Sequence, residues 1–248
     1  MKSRTIIAVL LGLLALGVTP GYAASPGRTT FSENFEQGNN TGGWTLGNPF
    51  LEAIESSGGN PGAYLHFPDL DTFAPQPRTT LPGSPFTGDY RARGVSEVGI
   101  DLVLFYVDFS SEGRPLAVML RNDGDTPEDF SDDCTVYFLG HKPAPRPNGV
   151  WRPYQFRVPS DSTVLPRDWN VFECGTLGSD EAWNRVITDV DELRFHVGDP
   201  TFFFIFQVWD IGMDNPSITS GTPEPALFTQ EWDIEDPDFV PGPLELAR

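Results

Sequence analysis

Positive charge is scarce in this chain. Sixteen Lys and Arg face 35 Asp and Glu, for a formal net charge of −19. A field of that sign repels phosphate backbones and anionic lipid surfaces, so nucleic acid is excluded as a partner, while solubility and cations are favoured. Lysine is the rarer cation: past residue 23 only Lys142 remains. Histidine is limited to His66, His141 and His196, and cysteine to Cys134 and Cys174, with no Cys-x-x-Cys. Zinc spacing is therefore absent. So are Gly-x-Ser-x-Gly, His-Glu-x-x-His and a phosphate loop. No apolar run reaches the roughly 20 residues of a membrane-spanning helix.

One shorter apolar run, Thr5 to Val18, follows a basic Met-Lys-Ser-Arg start and precedes Gly21, Tyr22 and Ala23. A basic end, an apolar middle and a small-residue cut site predict a secretory signal peptide over 1–23, cleaved after Ala23. The mature protein is then expected to be secreted, periplasmic or at the cell surface, with no membrane span. In that setting two cysteines predict a disulfide between Cys134 and Cys174, the alternative being two free thiols. The bridge would close a loop of about 40 residues and contribute about 3–4 kcal/mol. Both cysteines follow acidic residues, in segments that read as exposed.

What is abundant is phenylalanine, glycine and proline: 19, 25 and 24 residues. The densest apolar window runs from Phe202 to Ile218, with four Phe in its first five positions. It predicts a central strand buried on both faces, running into a Gly-Met-Asp-Asn-Pro turn. At ~25 cal/mol per Å2 such a strand is a large part of a core. Elsewhere short β-prone runs alternate with Gly/Pro turns, giving eight to ten strands. Pro68 to Pro85 reads as a long surface loop. One helix is expected, Ser179 to Ile187, capped by Ser179, with Asp180 and Glu181 in its first turn. No helix–strand alternation suggests a parallel sheet. The fold class is all-β: a two-sheet antiparallel β-sandwich, a jelly roll, over 24–218. Residues 219–248 read as an acidic, Pro-rich tail, disordered or loosely docked, with Phe228, Trp232 and Phe239 able to touch the sandwich.

Carbohydrate recognition needs a flat aromatic beside amide or charged groups, because a pyranose has an apolar face and a hydroxyl rim. Alternation along the Phe-rich run puts Gln207 and Trp209 on the side of Phe203 and Ile205, where they could join Arg194 and His196 as a ligand-binding set. Phe202, Phe204, Phe206 and Val208 take the core side. The competing reading keeps Trp209 in the core and Gln207 bonded to a neighbouring loop. Trp44, Trp151, Trp169 and Trp183 read as packing residues. The acidic stretch Asp123 to Asp133 lacks the spacing of a calcium hand and reads as a solvated loop.

The order of motifs carries a resemblance. Phe-x-x-x-Phe-Glu-x-Gly and Gly-Trp open the domain, and Gly-Asn-Pro-Gly-Ala-Tyr-Leu precedes a strand. Phe-Thr-Gly-Asp-Tyr-Arg follows, then Trp151-Arg-Pro-Tyr-Gln-Phe and Trp183-Asn-Arg-Val-Ile-Thr-Asp-Val-Asp-Glu-Leu-Arg-Phe, and finally Gly-Met-Asp-Asn-Pro. This resembles the laminin B (laminin IV) domain of exported bacterial proteins, over Phe31 to Ile218. It is also similar to galactose-binding-like jelly rolls and many carbohydrate-binding modules. The resemblance implies a structural Ca2+ held by Glu36 and Asp214 with backbone carbonyls. Oxygen-rich Gly/Asn loops suit such an ion; the alternative is a surface charge and a turn former. The expected function is a non-catalytic binding or adhesion module for a glycan, a cell-envelope component or an extracellular protein. The alternatives are a purely structural extracellular protein and a glycan-active hydrolase, which needs two carboxylates ~5–10 Å apart.

Overall fold

The structure is a computed structural model that describes residues 27–38, 40–47, 51–126 and 129–221. The predicted signal peptide and nearly all of the predicted tail, with Phe228, Trp232 and Phe239, lie outside the described residues. Among the described residues twelve strands and two helices follow one another: β1 (Thr29–Ser32), β2 (Trp44–Thr45), β3 (Ala53–Gly59), β4 (Gly62–Thr72), β5 (Arg78–Thr79), α1 (Tyr90–Arg93), β6 (Glu97–Val107), β7 (Pro115–Asn122), β8 (Cys134–Pro143), β9 (Arg152–Arg157), β10 (Trp169–Glu173), α2 (Ser179–Thr188), β11 (Glu192–Val197) and β12 (Gln207–Ser220).

The strands form two six-stranded antiparallel sheets, as an all-β sandwich requires. The first has the order β3-β4-β12-β6-β9, with β1 added along the far half of β12. The second has the order β10-β8-β7-β11-β5-β2. Period-two alternation sends Ile100, Leu102 and Leu104 of β6 and Trp209, Ile211 and Met213 of β12 into the core. Leu116, Val118 and Leu120 of β7, with Leu193, Phe195 and Val197 of β11, meet them from the second sheet. The helix α2 closes one end with Ala182, Trp183, Val186 and Ile187 buried. The Trp183 ring lies 5.1 Å from Trp169.

The Phe-rich window folds differently from its sequence reading. The strand begins only at Gln207, and Phe202, Phe203, Ile205 and Phe206 lie on a loop, 68, 83, 53 and 54 % exposed. Hydrophobicity without alternation does not distinguish a doubly buried strand from an apolar loop. The centre of the core is instead Trp209, wholly enclosed, whose Nε1 donates to the Thr72 carbonyl at 3.2 Å. The Gly-Met-Asp-Asn-Pro segment is likewise not the end of a strand. β12 continues through it to Ser220, with a register shift between Asp214 and Ser217 and Asn215 at φ 47°. Asn suits that left-handed position, and the strand takes in two residues, Thr219 and Ser220, that read as tail.

Other departures are smaller. Pro68 to Thr72 extend β4, and Arg78–Thr79 form β5, so Pro68 to Pro85 is not all loop. β10 and the one-turn α1 are elements that the sequence reading did not name. Ser179 is the first helical residue of α2 rather than its cap; Gly178 precedes it, and its N–H donates to Glu181 Oε2 at 3.1 Å. Cys134 and Cys174 are joined as predicted, but both are buried rather than exposed. No helix among the described residues is long and apolar enough to cross a membrane.

Candidate functional site

The outer face of the second sheet gathers a set of candidate side chains. With Leu193, Phe195 and Val197 turned inward, Glu192, Arg194 and His196 of β11 point outward. The register sets Arg194 opposite Arg78 of β5 on one side and Met119 of β7 on the other. Met119 is opposite Tyr137 of β8, which is opposite Asn170 of β10. One transverse row, Arg78, Arg194, Met119, Tyr137 and Asn170, thus crosses five strands. The adjacent row holds Glu192, Arg121 and Thr135, and the row on the other side His196, Ala117 and Leu139.

Met119 and Ala117 are buried beneath their longer neighbours, so they form a floor. Beside it, on β8 and β10, lie two aromatic rings, Tyr137 and Phe172, with centroids 6.4 Å apart and nearly perpendicular; Phe172 is exposed. Burial raises the Tyr137 phenol, and the charge of Asp199 adds to it. Arg194 Nε donates to Glu192, and Arg121 Nη1 donates to Asp133 Oδ2 at 2.6 Å. Burial works against the Arg121 charge, yet Glu192 and the hydrogen-bonded Asp133 outweigh it and the pKa rises. The Nε of Arg121 is buried without a partner. His196 Nδ1 donates to the Gly198 carbonyl at 3.1 Å, and burial lowers its pKa, so the ring is neutral at pH 7.

Of the four residues expected to form a ligand set, Arg194 and His196 share this face. Gln207 and Trp209 do not. Both belong to the other sheet and are buried; Arg114 Nη2 donates to Gln207 Oε1 at 2.6 Å, and its guanidinium lies 5.0 Å from the Trp209 ring. Met119, Arg121, Tyr137 and Arg78 were missed. The signal that finds them is alternation along β7 and β8, but cross-strand register is a tertiary property.

The first sheet carries its own polar–aromatic cluster on its outer face: Tyr64, His66, Phe105 and Trp151. Its His66 and Trp151 nitrogens bond to neighbours outside the cluster, and its rings pack against one another. His66 Nε2 pairs with Asp210 at 2.7 Å, Trp151 Nε1 donates to the Gly58 carbonyl at 2.8 Å, and Trp151 meets Tyr64 edge-on at 84°.

Glu36 and Asp214 converge on the β3–β4 turn. Asp214 is fully buried, and its Oδ2 accepts from Asn60 N at 2.6 Å and its Oδ1 from Asn215 N at 2.7 Å. Glu36 Oε1 accepts from Ala63 N at 2.8 Å. Burial pushes the Asp214 carboxyl up to about 6, with Asp101 and Glu36 adding to the shift. A Cβ on Gly59 would meet the Ala63 carbonyl at 2.7 Å, the Gly62 carbonyl at 2.8 Å and Asp214 Oδ2 at 2.8 Å. Glycine is therefore required where these oxygens crowd together. No group of three or more His, Cys, Asp and Glu among the described residues is arranged to hold a metal. A cation here would take two carboxylates and fill its shell with backbone oxygens, which is within the habit of calcium.

No family model matches the chain, and no curated protein matches it. Solved structures similar to it include an exo-beta-agarase, 12 % identical with a TM-score of 0.41, covering 77 % of this chain and 24 % of that one. This chain thus spans about a quarter of that protein's length. The L4b domain of human laminin alpha-2 is 11 % identical, with a TM-score of 0.33, covering 73 % of this chain and 85 % of the domain. A carbohydrate-binding module with specific mannan recognition is 12 % identical, with a TM-score of 0.31, covering 79 % and 99 %.

Proposed function

We propose that the protein is an exported, non-catalytic binding module that holds a glycan of the cell envelope or its surroundings on the outer face of the second sheet. The observation that carries this reading is the transverse row ending in Tyr137 and Asn170, with Phe172 beside it and Arg194 and Arg121 within the same grid. Aromatic rings suit the apolar face of a sugar, and the amide and guanidinium groups suit its hydroxyl rim. His196 is neutral and bonded to backbone, which makes it a part of the wall rather than a general base. The buried disulfide fits an oxidising, extracellular setting.

A calcium ion at Glu36 and Asp214 is part of the same proposal. When bound it would neutralise buried negative charge and tie the β3–β4 turn to β12. Among the described residues no Lys, Arg or His reaches either carboxylate at ion-pair distance. The module reading is tested by isothermal titration against a panel of soluble polysaccharides. The expected result is binding that Tyr137→Ala weakens about tenfold or more, as loss of an aromatic anchor does. Absence of binding across the panel favours a structural protein instead.

A further inference from the structure

We infer that the face prefers an anionic glycan, one bearing carboxylate or sulfate groups, and that Arg78 and Arg194 together read the anion. This rests on the proposal that the outer face of the second sheet binds a glycan. Arg78 and Arg194 are direct cross-strand partners. Like charges placed opposite one another on a sheet are unfavourable unless an anion lies between them. Arg194 has a carboxylate partner on its own strand, Glu192, and Arg121 has Asp133. Arg78 has no carboxylate within ion-pair distance among the described residues and no side-chain hydrogen bond there.

The grid carries three guanidiniums, Arg78, Arg121 and Arg194, against the carboxylates of Glu192, Asp133 and Glu173, so it stands near neutral on a protein whose formal charge is −19. Acidic residues outnumber basic ones about two to one in this chain, so an unmatched arginine beside another arginine is not explained by scarcity of acids. A guanidinium fork matches a carboxylate or sulfate in plane and with two parallel N–H bonds. Met119 and Tyr137 lie on the same row, past Arg194. A sugar ring over Tyr137 would thus direct an acidic neighbour along the row toward the arginine pair.

The test titrates the full chain with alginate and polygalacturonate as uronate probes, with carrageenan as a sulfated probe free of uronate, and with laminarin and galactomannan as neutral ones. Expected is a preference for at least one anionic polymer on the order of tenfold, a typical effect of one charge-assisted contact. That preference should shrink as salt rises. Arg78→Gln should abolish it while leaving the thermal midpoint unchanged or slightly raised, since the variant relieves a like-charge pair. Equal or tighter binding of neutral probes, or a preference that survives Arg78→Gln, overturns the inference and leaves the glycan proposal standing. No binding to any probe removes both. Uronate and sulfate sources are separated by which anionic polymer binds.

Discussion

The backbone N–H of Asn60 donates to Asp214 Oδ2 at 2.6 Å, so the turn between β3 and β4 hangs on a carboxylate of the last strand. Asp214 lies within the enclosed body of the sandwich, and burial pushes its carboxyl up to about 6. A calcium ion would favour the ionised form and convert a cost into a tie. A ligand present at a hundredfold excess over its Kd stabilises by about 2.7 kcal/mol. For a domain of this size that corresponds to roughly 5–10 °C between excess calcium and chelator in a melting experiment. Glu36→Gln keeps the hydrogen bond to Ala63 yet should erase the shift. Identical midpoints in calcium and chelator for the wild type would remove the ion from the account.

Trp209 and Phe203 should differ sharply when truncated. Trp209 is enclosed on every side, and Phe203 is 83 % exposed. Trp209→Ala is expected to cost about 3–5 kcal/mol, the range for a large buried aromatic. Phe203→Ser should stay within about 0.5 kcal/mol. Urea unfolding of both variants checks this, and a cost for Phe203→Ser comparable to that for Trp209→Ala would mean that the Phe loop is packed after all.

Asp191 makes stability depend on pH. Burial raises its pKa to about 6; the Asp123 N–H opposes this, and the charges of Asp123 and Asp189 add to it. Its folded pKa is above the ordinary 3.8, so between those values the folded protein holds a proton that the unfolded chain releases. The contribution of this group therefore falls as pH rises from about 4 through 6, because the folded state must ionise a partly buried carboxyl. Asp191→Asn keeps an oxygen acceptor for the Asp123 N–H, bonded at 2.9 Å, and cannot ionise. Its midpoint should match the wild type near pH 4 and exceed it above pH 6; parallel profiles across that window contradict the assignment.

The sandwich was legible because short β-prone runs between turns became strands, and in β9 the alternation survives translation into burial: Tyr154 and Phe156 are buried while Pro153, Gln155 and Arg157 are exposed. The pairing of Cys134 with Cys174 was legible too, since two cysteines leave one possible bridge within the chain. The Phe-rich run misled because five apolar residues in a row, four of them Phe, contain no period. Water meets most of that run, while Trp209, two residues into β12, is enclosed. The candidate site was half legible. Arg194 and His196 share a face by their own spacing, whereas Tyr137 and Arg78 join them only through a register set by β7 and β5.

The account stands most directly on where a glycan touches the protein. Backbone amide shifts recorded by NMR during titration with a polysaccharide fragment that binds should move at Met119, Tyr137 and Arg194 and across their row. Shifts confined to the Phe202 to Phe206 loop, or to the Tyr64 and His66 face of the other sheet, contradict it.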